Sequence, residues 1–258
     1  MTFEEYIKNP QGSYAMSNRQ MYNIMYTEKW NNLKVRENGL VMRTLYIDGD
    51  NYYIHFKIPS EVVPKFYYDT IIRFYLEKKT GAVPASLSAY DVQFYSNDPS
   101  FVYTFAHAFN KRGMFIKDLT PKMSQLALKQ RAMERNPKDE LGYVKSIYFA
   151  FLEIKQQALF NKNRWEGAKT YNKRVWNDTV AHADDKIKDR QEKGAALEKK
   201  NKAKEKANDT RNTDKAPKET KKPFASPNKT NFGHFKRPDV NKAISDMKKN
   251  LKKSVGKK

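Results

Sequence analysis

Four histidines are the first residues to weigh for acid–base or metal chemistry: His55, His107, His182 and His234. A catalytic imidazole or a metal ligand needs partners at defined spacing. These four lie far apart, and none stands at ligand spacing from another. His107 falls on the more polar stripe of a helical pattern, which suits a hydrogen-bonded core or boundary side chain. The chain has no cysteine, which removes disulfides, a thiol nucleophile and every thiolate metal site. Asp48 and Asp50 stand in Asp48-Gly49-Asp50-Asn51, which reads as turn chemistry; a calcium loop would need further oxygen ligands nearby. Asp184 and Asp185 sit on a charged helix face, where adjacent acids are solvated. No phosphate-binding loop, dinucleotide fingerprint, nucleophile elbow or zinc-protease motif occurs. The expectation is a non-enzymatic protein with no catalytic, cofactor-binding or metal-binding residue.

Charge supplies the stronger signal. The formal net charge is +21. Residues 1–160 carry +5 of it and residues 161–258 carry +16. Aromatic residues are split the other way: 28 of 34 precede residue 161. The first part can bury a core, and most of the last part lacks the apolar surface to offset the entropy of ordering. From Lys215 onward there are 14 basic and 3 acidic residues in 44. Dense lysine binds polyanions through counterion release, at phosphates rather than at base edges. The candidate contacts for a polyanion or a neighbouring subunit are Lys221, Lys222, Lys229, Lys236, Arg237, Lys248, Lys249, Lys252 and Lys253. Phe224, Phe232 and Phe235 punctuate the same segment and could anchor it in pockets on a partner. Three readings of the tail stand side by side: a solvated tail, a nucleic-acid arm and an assembly arm.

The elements that would carry these residues can be read from periodicity. Ser17 to Leu33 predicts a helix, with Ser17 as N-cap and Met21, Ile24, Met25 and Trp30 near helical spacing. Val41, Arg43, Leu45 and Ile47 alternate, the turn follows, and Tyr52, Ile54 and Phe56 continue on one face: a β-hairpin. Residues 65–81 fit a strand over Tyr68–Leu76 or a buried helix after Pro64, and β-branched and aromatic content favours the strand. SLSAYDVQFYS predicts another strand.

YSNDPSFVYTFAHAFNKRG, residues 95–113, mixes aromatic rings with basic residues, as single-stranded nucleic acid would favour. Geometry decides for a core helix instead. Asp98 is an N-cap, Pro99 takes the first helical position and Gly113 is a stop. Phe101, Phe105 and Phe109 share one face, and Lys111 and Arg112 complement the helix dipole. Next come a short strand-like MFIKDL, a helix from Thr120-Pro121 to Asn136, and a helix capped by Asp139 that runs to Phe160 with Tyr143, Ile147, Phe151, Ile154 and Ala158 as its stripe. Residues 163–189 predict a continuing helix with Trp165, Trp176, Val180, Ala183 and Ile187 buried. From Lys188 that stripe dies.

IPSEVVPKFYYD, YSNDPSFVYTFAHAFNKRG and GYVKSIYFAFLE resemble segments of virion proteins of tailed bacteriophages, of the head–tail connector, neck or capsid-associated type. The likeness spans residues 1–160. It implies a homo-oligomer that contacts other virion proteins (portal, neck or capsid subunits), residence in the virion, and passage through the host cytoplasm during assembly. No residue roles transfer with it. A sequence-non-specific nucleic-acid-binding accessory protein in replication or genome packaging is the alternative, with DNA held by the tail. The N-terminus lacks an apolar run and no segment approaches about 18 apolar residues, so neither a secretory signal nor a membrane span is expected. The predicted fold class is α+β: an aromatic-rich mixed head over 1–160, packed on several helices, a charged helical extension over 161–210, and an extended basic tail over 211–258.

Overall fold

A computed structural model describes residues 1–8, 16–36, 42–77, 82–142 and 144–213. The chain divides into two units, 1–210 and 211–258. The first unit is α+β, built on a five-stranded mixed sheet in the order β4-β3-β2-β1-β5. Strands β1 (Met42–Asp48), β2 (Asn51–Pro59), β3 (Tyr67–Tyr75) and β4 (Asp91–Ser96) form an antiparallel meander, and β5 (Lys169–Thr170) pairs parallel with β1. The hairpin closes at Asp48↔Asn51 with Gly49 at φ 55°, the left-handed turn position that glycine adopts freely. Tyr67–Tyr75 therefore form a strand, β3, and not a helix.

Both sheet faces are covered, which explains why alternation was weak in β3. On one face Ile54, Phe56, Ile72, Phe74, Val92 and Phe94 are buried. The helices α1 (Phe3–Lys8) and α5 (Lys145–Gln156) lie there, with α2 (Met16–Arg36) packed on α5. Phe3 joins the layers, with ring centroids 5.0 Å from both Phe94 and Phe151. On the other face Tyr46, Tyr53, His55, Ile71 and Tyr95 are buried. Tyr171 and Trp176 supply its cover. Tyr53 stacks on Tyr171 at 4.1 Å and 5°, and Trp176 packs edge-on against Tyr46 at 5.3 Å and His55 at 5.9 Å.

Within the 95–113 stretch, Tyr95 and Ser96 end β4 and Pro99 to Lys111 form a core helix. Its middle is a π-helical turn, Phe101–Phe105, that runs into α3 (Ala106–Lys111). The amide of Ser100 donates to the Asp98 carboxylate at 2.9 Å, so Asp98 caps the helix as expected. Gly113, at φ 70°, ends it. Phe101 and Phe109 are fully buried, at 5.3 Å from each other. Arg112 donates to the carbonyls of Ala108 and Asp139.

Five expectations are corrected. MFIKDL forms only an isolated bridge, Phe94↔Phe115, before a 3-10 helix over Lys117–Lys122. The helix expected to Asn136 stops as α4 (Gln125–Lys129). Asn136 instead ties a loop, donating to the carbonyls of Thr104 and Glu140 and accepting from the Glu140 amide. Asp139 caps no helix: its φ is 57°, and its carboxylate is held by His107 at 2.7 Å and Lys111 at 3.3 Å. The following helix is the shorter α5, with Ala158 at φ 54° beyond its end. Residues 163–189 are broken into a 3-10 turn over Lys162–Trp165, β5, α6 (Val175–Thr179) and the start of α7 (Ala183–Thr213). The five stripe residues are buried as expected, yet they reach the core from separate pieces. Trp165 packs against Tyr52 and Trp176 against Tyr46 and Tyr53, and Tyr52 and Tyr53 are adjacent strand residues that face opposite sides of the sheet, so no single helix could bury both indoles. Ser17 lies inside α2, which begins at Met16.

Candidate contact helix and polar cleft

The sequence-derived contact residues, Lys221, Lys222, Lys229, Lys236, Arg237, Lys248, Lys249, Lys252 and Lys253, lie outside the described residues. So do the anchors Phe224, Phe232 and Phe235, and His234. What precedes them is α7. Its first turns are part of the core through Ala183 and Ile187. From Gln191 to Ala207 its side chains are exposed, apart from the half-buried positions Gly194 and Leu197. At about 1.5 Å per residue, the stretch from 191 to the helix end spans about 35 Å. Lysine dominates its charge, and Asp189–Lys193 at 2.9 Å is an i,i+4 pair of the kind that supports an exposed helix.

Two of the histidines, His55 and His107, are held by carboxylates. His55 Nε2 lies 2.9 Å from Asp69 Oδ1 between the sheet and Trp176. Asp69 Oδ2 accepts from Asn97 Nδ2 at 2.9 Å, and the Asp69 amide donates back to Asn97 Oδ1 at 2.8 Å. This buried cluster ties β2, β3 and the end of β4 together. His107 is held by Asp139, and His182 is exposed. Asp184 and Asp185 are exposed, as expected. Among the described residues there is no group of three or more His, Asp or Glu that could hold a metal ion. No described helix is long and apolar enough to cross a membrane.

A polar cleft lies where β2 ends and β3 begins, bounded by α2, α5 and α7. Its cavity is about 320 Å³. Asp98, Tyr68, Glu61, Lys145, Ser146 and Arg190 line it, with Lys29, Ser60 and Ser100 beside them and Tyr26 and Phe149 as an aromatic wall. Burial pushes the Asp98 carboxyl above the ordinary carboxylate range, against the Ser100 amide, Ser146, Lys145 and Arg190, which favour its charged form. Burial, reinforced by Asp98, pushes the Tyr68 phenol up to about 12. Burial acts the same way on Glu61, but Lys145 and Lys29 outweigh it and hold that carboxyl below its usual value. Lys145 is hydrogen-bonded to Glu61 Oε2, and Lys29 lies 3.4 Å from Oε1. The Arg190 Nε atom is buried and has no hydrogen-bond partner among the described residues.

Sequence reasoning found Asp98 only as a helix cap. Glu61, Tyr68, Lys145 and Arg190 carry no motif, and the fold alone brings them together from the loop after β2, from β3, from α5 and from α7. The one local signal was an acid before a helix that opens with Pro-Ser, which is ordinary capping chemistry.

No protein family, curated protein or solved structure matches this chain.

Proposed function

We propose that this chain is a non-enzymatic structural component of a phage particle, of the head–tail connector, neck or capsid-associated type. Its head makes subunit contacts, and its C-terminal tail grips neighbours or DNA. The observation that supports this reading is α7. A helix whose side chains are exposed from Gln191 to Ala207, apart from the half-buried positions Gly194 and Leu197, has surface to offer a partner. It leads directly in sequence to the lysine-rich segment with its three phenylalanines. The predicted resident partners are further copies of the chain and other virion proteins. Mass spectrometry of purified particles, together with native mass measurement of the isolated protein, tests the proposal. A defined oligomer incorporated into particles is expected. A monomer absent from particles sinks it.

The charge distribution favours a second reading, a sequence-non-specific nucleic-acid-binding accessory protein in replication or packaging. Its expected signature is DNA affinity that falls steeply with salt, by roughly 0.9 in log K per log salt for each phosphate neutralised. Removal of residues 215–258 abolishes that affinity on this reading. Unchanged binding by the truncated chain rules out the tail as the main contact.

A further inference from the structure

We infer that the groove between the π-helical turn Phe101–Phe105 and α4 is a docking surface for an acidic peptide segment of a partner protein, which inserts an apolar side chain and sets carboxylates on a basic rim. The inference does not depend on the assembly role above. Tyr103 and Leu126, 47% and 60% exposed, line the groove, and Met133, 63% exposed, directly follows the lining residues Arg131 and Ala132. Val102 and Ala127 add to the apolar lining. Exposed apolar side chains that gather in one place mark an interaction site, whereas scattered ones need no explanation. The cavity is about 180 Å³. That is below the range of small-molecule pockets, about 300–1,000 Å³, and suits a single anchoring side chain. The π-helical turn sends Phe101, Val102 and Phe105 into the core and leaves Tyr103 outside. Such turns are rare and recur at functional positions.

Charge selects the occupant. Residues 125–135 carry Lys129, Arg131 and Arg135 against one acid, Glu134, and all four are exposed. Arg131 lines the groove, and its Nε and Nη2 donate to the Met133 thioether at 3.3 and 3.2 Å. Sulfur is a weak acceptor and leaves the guanidinium charge unpaired. No carboxylate lines the groove. Two act on its residues: Asp139 is already paired with His107 and Lys111, and Asp184 bears on Tyr103. A carboxylate arriving at Arg131 replaces the sulfur contact with a charge-assisted bond, of the bidentate kind that guanidinium favours. Tyrosine and arginine are also the side chains that dominate binding energy at protein interfaces. The lysine-rich segment has anchors in Phe224, Phe232 and Phe235 but the wrong sign, with 14 basic and 3 acidic residues from Lys215 onward. A second copy's tail is therefore repelled by this rim. Nucleic acid would meet the cations but only one stacking ring, Tyr103, among aliphatic neighbours. An acidic segment with an apolar anchor satisfies both the rim and the groove.

The test is a selection of ribosome-displayed random dodecapeptides against the full chain, with counter-selection against its Leu126→Glu variant. Peptides held by the wild type and lost by the variant should carry an aliphatic or aromatic residue flanked by Asp or Glu. In anisotropy titrations of the tightest such peptide, Leu126→Glu and Arg131→Glu should each weaken binding about tenfold, and the Arg131 effect should shrink as salt rises. Both side chains are exposed, so both variants should unfold at the wild-type midpoint. The inference is overturned if no selected peptide distinguishes wild type from Leu126→Glu, or if those that do are basic. Equal competition by a synthetic peptide of residues 215–258 also overturns it, since the tail would then be the occupant. Oligothymidylate affinity lost in Leu126→Glu, with peptide affinity unchanged, assigns the surface to nucleic acid instead. Absence of the protein from purified particles removes the assembly role and leaves this surface standing.

Discussion

Trp176→Ala tests whether the segment that carries Tyr171 and Trp176 is structural cover for the second face of the sheet. Trp176 is 1% exposed and touches four aromatic side chains: Tyr46, Tyr53, His55 and Tyr171. Truncating a buried tryptophan to alanine costs about 3–5 kcal/mol through lost transfer energy and the cavity left behind. The lost indole donor adds little. Its acceptor, the Tyr171 hydroxyl at 3.2 Å, keeps its own bond to Asp118 at 2.6 Å and is not orphaned. A cost of about 4 kcal/mol is the working value. In urea, with a slope of about 2 kcal/mol/M, the midpoint should fall by about 2 M at unchanged slope. Trp176→Phe retains a ring and should lose only about 1–2 kcal/mol. If Trp176→Ala costs less than about 1 kcal/mol, the second face of the sheet is not held by this segment and the two-sided core is wrong.

Other outcomes follow from the same structure. Asp98→Asn keeps an oxygen for the Ser100 amide and removes a buried charge. Because the folded carboxyl sits high, its contribution is present at low pH and declines as pH rises from the ordinary carboxylate range through the raised value. The variant should lack that decline in pH-dependent urea midpoints, and a loss of about 3–5 kcal/mol at neutral pH would mean a paired, ionised Asp98 instead. Glu61 has the opposite sign. Its stabilisation is present above the ordinary carboxylate value and lost as pH falls through the lowered one. Glu61→Gln should therefore flatten the acid limb of the same profile, at a cost near neutrality of about 1 kcal/mol or less because the pair is partly exposed. Gly194→Ala should stabilise the chain by about 0.5–1 kcal/mol in thermal unfolding, since a Cβ there meets only Val63 Cγ2 at 4.0 Å in a helix interior. A destabilised Gly194→Ala would show that α7 is not a regular helix at that point.

Much of the head was legible because local signals and global packing agreed. The Asp48–Asn51 turn fixed the hairpin, and the Asp98, Pro99 and Gly113 punctuation fixed the phenylalanine helix. The π-helical turn inside that helix left no trace in the periodicity, because phenylalanines at 101, 105 and 109 satisfy either winding. Residues 163–189 misled for a different reason. Trp165, Trp176, Val180, Ala183 and Ile187 can be threaded on one helical stripe, but they bury themselves from separate turns across a sheet whose second face no local pattern announces. The cleft was least legible. Tyr68, Asp98, Lys145 and Arg190 are spread over more than a hundred residues, and each has an ordinary local explanation in strand, cap or helix.

The two edges of the sheet set a rule for how copies of this protein can meet. At one edge, β4 receives the Val92 amide bond to the Met1 carbonyl, the Thr2↔Asp91 bridge and the Phe94 ladder with Met114 and Ile116. At the other, β5 pairs with β1 only at Tyr46 and Ile47, and the Tyr171 amide bonds to the Ile47 carbonyl. Open-ended polymerisation by strand addition, the route to amyloid-like stacking, is thus blocked along β4 and over the Tyr46–Ile47 part of β1. The remaining stretch, Met42 to Leu45, carries the exposed charge of Arg43 as a gatekeeper. Association of copies is thereby left to side-chain surfaces, which can be regulated and reversed, rather than to backbone pairing.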